Sequence, residues 1–198
     1  HCRKVLVLVQ YKSLSLARHI RAGWNITHPE WDEFVEVLPA QKRVGENWYL
    51  GTADAIYQNL YSIESESPSE VLILSGDHIY KMDYRPMLEA HAKQRADLTL
   101  AVMNVKPDET NRFGIVLTGD EGRVTGFLEK PKDAPSTLAN MGVYVFRTGA
   151  LIERMQTLAR EHRDLDFGKH VIPSMVDGGR IFTFPFDGYW VDAGTVDA

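Results

Sequence analysis

The chain has 198 residues, 44% hydrophobic and 25% charged, the balance of an ordinary globular protein with room for one sizeable core. Its 22 basic and 27 acidic residues leave a net charge of −5, which argues against a general nucleic-acid binder and leaves only a local basic pocket for a small phosphorylated ligand. No apolar run reaches membrane-spanning length, and the single cysteine, Cys2, excludes an internal disulfide, which fits a reducing cytosol. The sequence carries no secretory signal, fixed-period repeat or low-complexity tract.

Strands and helices alternate along the chain. His1-Cys2-Arg3-Lys4 leads directly into the apolar run 5–9, a central-strand pattern with nothing before it, so the sequence is expected to begin inside a domain. Leu14, Leu16, Ala17 and Ile20 then mark an amphipathic helix capped by Ser13 and ending near Gly23. Residues 34–38 read as a short strand and 41–51 as a loop. Ala53, Ile56, Tyr57, Leu60 and Ile63 fall at helical spacing behind a Thr52 cap. A strand at 71–74, a helix around Met87, Leu88, His91 and Ala92, and a strand at 97–105 follow. From Gly114 the rhythm changes: runs at 115–117 and 124–128 flank Gly119-Asp120-Glu121-Gly122, a hairpin pattern. A strand at 141–146, a helix over Leu151, Ile152, Met155, Leu158 and Ala159, and a helix at 171–176 closed by Gly178-Gly179 come next. Strands at 181–186 and 189–191 precede a C-terminal stretch that stops at the start of a helix pattern. The whole predicts a mostly parallel α/β sheet with an antiparallel insertion.

Four short constellations carry chemistry. In Glu70-Val71-Leu72-Ile73-Leu74-Ser75-Gly76-Asp77-His78, a continuous apolar run predicts a strand buried on both faces. The glycine turn leaves the Asp77 carboxylate at the strand's carboxyl end, where open α/β sheets bind ligands and where it can hold a hard cation against phosphate oxygens. The plainer reading of Asp77 is a turn residue or helix cap. The Gly51-Thr52-Ala53 turn, feeding a helix, offers backbone N–H groups and a helix dipole to a phosphate; read plainly, it is a capped loop. Glu129-Lys130-Pro131 follows a strand, placing a lysine for a phosphate and a carboxylate for sugar hydroxyls, or simply a solvated charge pair. Tyr189-Trp190-Val191-Asp192-Ala193-Gly194-Thr195 repeats the pattern of a carboxylate after a strand and before glycine; Asp192 is either a second cation ligand or an N-cap.

Taken in chain order, these segments resemble the catalytic domain of the ADP-glucose pyrophosphorylases (glucose-1-phosphate adenylyltransferases). The resemblance runs over nearly the whole chain through Gln10-Tyr11-Lys12-Ser13, His19-Ile20-Arg21-Ala22-Gly23-Trp24, Leu38-Pro39-Ala40-Gln41, Gly45-Glu46-Asn47-Trp48-Tyr49, Gly51-Thr52-Ala53-Asp54-Ala55 and Ser75-Gly76-Asp77-His78-Ile79-Tyr80. It continues through Phe113-Gly114, Glu129-Lys130-Pro131, Asn140-Met141-Gly142-Val143-Tyr144-Val145-Phe146, Asp166-Phe167-Gly168-Lys169, and Tyr189-Trp190 through Thr195. Gly-Asp and Glu-Lys-Pro are shared by all sugar-phosphate nucleotidyltransferases, whereas the Gln-Tyr-Lys-Ser, Gly-Glu-Asn-Trp-Tyr and Asp-Phe-Gly-Lys segments are much more particular to the ADP-glucose branch.

The resemblance implies a Rossmann-like, GT-A-like nucleotidyltransferase domain over residues 1–198, incomplete at its N-terminus: a mixed, mostly parallel sheet flanked by helices. It implies a cytoplasmic enzyme that joins ATP to glucose 1-phosphate, giving ADP-glucose and pyrophosphate for glycogen or starch. The implied cofactor is Mg²⁺ on Asp77 and Asp192, with Lys130 on the sugar phosphate. Tyr49, Gly114, Glu129 and Asn140 would surround the glucose, and Gly51, Thr52 and Ala53 would lie near the nucleotide. Asp166 and Lys169 are supports, and the full-length protein is expected to be a homo- or hetero-oligomer. The family's glycine-rich, arginine-bearing triphosphate loop and its C-terminal left-handed β-helix have no counterpart here, so these 198 residues alone are expected to be poorly active. Asn140 stands where many relatives carry serine, Val191 where a charge is common, and His170 where an acidic residue is frequent. Two other readings stand beside this one: a catalytically silent regulatory or sugar-phosphate-binding subunit, and a sister nucleotidyltransferase using another nucleoside triphosphate.

Overall fold

A computed structural model describes residues 3–11, 13–24, 26–40 and 48–194. Residues 41–47 of the loop expected at 41–51, with the Gly45-Glu46-Asn47 half of one family segment, lie outside the described residues, as do Cys2, Lys12 and Thr195.

The first strand, β1 (Lys4–Val9), pairs in parallel with β2 (Phe34–Pro39) across α1 (Ser13–Gly23). The larger sheet is built on β8 (Leu138–Arg147). Along one edge of β8 runs β5 (Leu98–Asn104), antiparallel, and β9 (Ile181–Pro185) pairs in parallel with β5. The opposite edge is shared. Its C-terminal half takes β3 (Glu70–Leu74), with Leu74 opposite Val143, while its N-terminal end takes β6 (Gly114–Thr118) through Ile115 and Ala139. The predicted hairpin is present as β6 and β7 (Val124–Glu129). Because β3, β5 and β6 all oppose β8, and β9 follows β5, four strands of this sheet share one direction and β7 and β8 are reversed. The expected α/β arrangement, mixed sheet and antiparallel insertion therefore hold. Helices α2 (Thr52–Gln58), α3 (Leu60–Glu66), α4 (Arg85–Gln94), α5 (Thr148–Leu158) and α6 (Ile172–Val176) complete the described elements, with β4 (His78–Tyr80) and β10 (Trp190–Asp192) forming a separate antiparallel pair.

Two apolar clusters hold the sheet. One gathers Leu98, Leu100, Phe146, Leu151, Met155 and Ile172; the other centres on Met87, Met141, Val143 and Val145. Alternation along β8 explains the split, since Met141, Val143 and Val145 point one way and Tyr144 and Phe146 the other.

Three local expectations are corrected. The strand at 70–74 is only partly buried, Leu74 being 44% exposed, because among the described residues it has a partner on one edge alone. The helix predicted over residues 53–63 is two helices broken at Asn59 (φ −112°). There the buried amide Nδ2 donates to the Ala55 carbonyl (2.8 Å) and the Tyr49 hydroxyl (2.9 Å), local bonds that compete with helix continuation. Thr52 does not cap α2. The cap position is Gly51, with no side-chain bond, and the N-terminal role falls to Asp54, whose Oδ2 accepts from the Leu50 amide at 2.9 Å.

Candidate functional site

The edge of β8 passes from β3 to β6 over Asn140, Met141 and Gly142, and several of the sequence-predicted residues stand around that fork. Gly142 takes a left-handed φ of +69°, and its carbonyl accepts from the Ser75 amide at 3.0 Å, seating the turn after β3 against β8. A methyl at Gly142 would lie 2.7 Å from Ser75 Oγ and 2.9 Å from His78 Cε1, so glycine is what admits this turn.

On one side of the fork lie the acidic groups. Asp77 occupies the turn between β3 and β4, and Asp192 lies opposite His78 in the β10·β4 ladder. The Ala193 amide donates to the Asp77 carbonyl at 2.8 Å, tying the two carboxylate-bearing turns together. Ligand atoms of Asp77, His78 and Asp192 all lie within 4.8 Å of one another, the grouping among the described residues that could hold a metal ion. Two aspartates 115 positions apart in the chain are thus neighbours. The plainer roles are also present: Asp77 sits in a turn, and Asp192 Oδ1 accepts from the Gly194 amide at 2.8 Å. As a donor set, two carboxylates suit a hard divalent cation.

On the other side lie Gly114, Glu129 and Asn140. Gly114 opposes Glu129 in the β6·β7 ladder, and the pairing of Ile115 with Ala139 brings Asn140 beside them. Asn140 Nδ2 donates to the Tyr144 hydroxyl at 2.8 Å, and Tyr144 packs on Phe167 with ring centroids 5.0 Å apart. Burial pushes the Tyr144 hydroxyl far above its ordinary range, so it stays a neutral phenol. Glu129 is exposed as a residue, but its carboxylate end is shielded by glycine backbone: a side chain at Gly168 would overlap Oε2, and one at Gly114 would overlap Phe127 and lie 3.1 Å from Oε2. That shielding raises the Glu129 carboxyl above its ordinary range. Asp166 pushes the same way, while Lys130 and Lys169 oppose it. The expected supports therefore flank Glu129. The Asp166 carboxylate caps the π-type turn Phe167–Val171, accepting from the Lys169 amide at 2.9 Å. Lys130 is exposed, in a left-handed conformation (φ +46°), and its amide donates to the Phe113 carbonyl at 3.2 Å.

Trp190 joins the two sides, its ring 5.1 Å from His78 and 5.2 Å from Phe113. Its indole Nε1 is buried and has no hydrogen-bond partner among the described residues. Tyr49 and the 51–53 turn stand at α2. Ala53 is buried in the larger core cluster, a side chain at Gly51 would overlap the Leu165 carbonyl, and the Asp54 amide already donates to that carbonyl at 3.1 Å. Much of this turn therefore serves packing, with Thr52 its exposed member.

His78, Tyr144 and Trp190 also stand at this fork; they lie within the motif segments, but motif reasoning gave them no role. Tyr144 was within reach, since Asn140 and Tyr144 are four apart in a strand and share a face. His78 was not, because its place beside Asp192 depends on the pairing of two three-residue strands far apart in the chain.

A mixed α/β sheet flanked by helices defines the class: a Rossmann-like nucleotidyltransferase fold. Comparison with known proteins makes this specific. Residues 1–198 match the family model described as nucleotidyl transferase, and the chain belongs to that family. It is 48% identical to the glucose-1-phosphate adenylyltransferase of Koribacter versatilis, over 99% of this chain and 51% of that protein. It is 45% identical to glucose-1-phosphate adenylyltransferase 2 of Alkalilimnicola ehrlichii, over 99% of this chain and 50% of that protein. With the glucose-1-phosphate adenylyltransferase of Rhodopirellula baltica the figures are 42%, 99% and 48%. The chain spans about half the length of the curated relatives it matches.

Proposed function

We propose that the protein to which this chain belongs transfers AMP from ATP to glucose 1-phosphate, releasing pyrophosphate and forming ADP-glucose, the activated donor for glycogen or starch. The observation that carries the reading is the convergence of Asp77 and Asp192 at one point of the sheet edge, beside a second cluster of Gly114, Glu129 and Asn140. Family membership and the names of the relatives support it.

The reaction needs two anions aligned and their charge offset, with little covalent help from the protein. Asp77 and Asp192 would hold Mg²⁺, which when bound offsets charge on the triphosphate. Lys130 binds the phosphate of the sugar substrate as a point charge. Glu129 accepts from glucose hydroxyls, Asn140 contributes its amide, and Gly114 leaves room for the ring. Tyr49 closes the sugar side, and Gly51, Thr52 and Ala53 border the nucleotide. Among the described residues no helix is long and apolar enough to cross a membrane. The cytoplasm is the proposed setting, and the full-length protein is proposed to be an oligomer.

The test is product formation by the full-length protein. Pyrophosphate and ADP-glucose should appear from ATP, glucose 1-phosphate and Mg²⁺, with ATP preferred over UTP. Asp77→Ala should abolish turnover, and Lys130→Ala should chiefly raise KM for the sugar phosphate. Preference for UTP, or full turnover by Asp77→Ala, overturns the reading.

A further inference from the structure

We propose that His78 is a nitrogen ligand to the divalent cation of the Asp77–Asp192 site, one that strengthens the binding of borderline ions such as Mn²⁺ or Co²⁺ more than that of Mg²⁺. This rests on the metal reading above and extends it to a residue with a different donor atom.

The argument starts from the ring's hydrogen bonding. His78 Nδ1 lies 2.8 Å from the Met141 carbonyl oxygen. A carbonyl only accepts, so Nδ1 carries a hydrogen, and in the neutral ring Nε2 is left with a lone pair. That nitrogen faces the carboxylates: Nε2 is 3.6 Å from Asp77 Oδ1, and the three ligand atoms fall within 4.8 Å. In the neutral ring, Nε2 and the Asp77 carboxylate are two acceptors that repel across such a gap unless a proton or a metal ion lies between them, and nitrogen coupling on a bound ion tells these apart. An imidazole that donates one N–H to a backbone carbonyl and presents its other nitrogen to a shared point is the usual arrangement of a metal-binding histidine.

The ring is also fixed in place. The edge-to-face contact with Trp190 and the absence of a side chain at Gly142 set its plane, and the side chain is only 12% exposed. A nitrogen donor shifts the balance between ions. Mg²⁺ prefers oxygen and holds its waters, whereas imidazole affinity rises along the series from Mn²⁺ to Co²⁺. An all-carboxylate centre shows this bias more weakly.

The experiment is a Mn²⁺ titration of the full-length protein followed by pulsed electron paramagnetic resonance. The wild-type protein should show ¹⁴N modulation on bound Mn²⁺, and labelling with ¹⁵N-histidine should replace it with the ¹⁵N pattern, a readout that needs no variant. His78→Gln should lose the modulation and bind Mn²⁺ roughly tenfold more weakly. Its Mg²⁺ affinity, measured by competition, should fall by less than about threefold. Wild-type Mn²⁺ without nitrogen coupling overturns the proposal, as does a His78→Gln protein that keeps both the coupling and the affinity. Asp77→Asn separates the two readings. If Asp77→Asn abolishes Mn²⁺ binding and His78→Gln does not alter it, the centre stands and His78 is not a ligand. If neither substitution matters, the centre itself is wrong.

Discussion

Gly168 lies so close to Glu129 Oε2 that even a methyl group would overlap the carboxylate. Gly168 is absent from the positive-φ glycines, so its backbone conformation does not itself demand glycine. The constraint is steric and is directed at one side chain. Gly168→Ala should therefore displace Glu129 while leaving the sheet intact. On the proposed function, KM for glucose 1-phosphate should rise about tenfold, equivalent to about 1.4 kcal/mol, with KM for ATP much less affected. Steady-state kinetics with each substrate varied in turn would check this. A parallel rise in both KM values would mean that the turn had moved as a whole.

The same carboxylate predicts a pH dependence. Shielding by the surrounding backbone, followed by the negative charge of Asp166, raises the Glu129 carboxyl, with Lys130 and Lys169 opposing. In the window between the ordinary glutamate value and the raised native one, the folded chain binds more protons than the unfolded chain. This contribution is fully present below the ordinary value and is lost as pH rises through the native one. Urea unfolding from pH 4 to 7 should show a component of stability falling as pH rises, and Glu129→Gln should remove that component. A Glu129→Gln profile parallel to wild type would place the titration elsewhere.

Tyr49 and Asn59 supply a third prediction. Asn59 Nδ2 donates to the Tyr49 hydroxyl, so the hydroxyl oxygen is the acceptor and its own hydrogen is left to donate, as a sugar-contacting tyrosine requires. The Asn59 side chain also bonds the Ala55 carbonyl at the break between α2 and α3. Asn59→Leu removes both bonds and should lower stability by about 1–2 kcal/mol in chemical denaturation. Tyr49→Phe removes only the hydroxyl, so it should cost less stability while weakening the sugar substrate at least as much.

These residues show which features could be read before the structure. The α5 stripe, the β6–β7 hairpin and the strand ending at Asp77 were apparent because spacing along a single segment decides each of them. The break at Asn59 was not, since an apolar period of 3.6 runs straight through it and only the side-chain bonds to Tyr49 and Ala55 interrupt the helix. The same holds for β3. Its apolar run reads as fully buried, yet burial depends on what lies against its second edge, which the run itself does not specify. Asp77 and Asp192 have a strand-end address that their own segments spell out, whereas His78 and Trp190 gain their place from the short β4·β10 pairing. Glu129 was assigned to sugar hydroxyls from its motif, but its enclosure by Gly114 and Gly168 needs three separate segments folded together.

Asp97 illustrates how the sheet holding this site resists acid. Its Oδ1 accepts from Arg147 Nε (3.0 Å) and from an Arg147 terminal nitrogen (2.7 Å), and its Oδ2 accepts from the Arg180 amide (3.0 Å). One carboxylate thus clamps the start of β5 to the end of β8 and to the residue before β9. Burial acts first on Asp97 and raises its carboxyl, but the Arg180 amide and the Arg147 guanidinium outweigh it, so the net shift is downward. An acid held below its unfolded value stabilises the fold above that value, and the contribution is lost as pH falls through the native one. Because Arg147 is half exposed, solvent screens the pair, and Asp97→Asn should cost roughly 1–2 kcal/mol at neutral pH. The difference between Asp97→Asn and wild type should shrink as pH falls from 5 toward 2, measured by urea unfolding at each pH. A difference that stays constant over that range would show that geometry at this corner, and not the charge of Asp97, holds the three strands together.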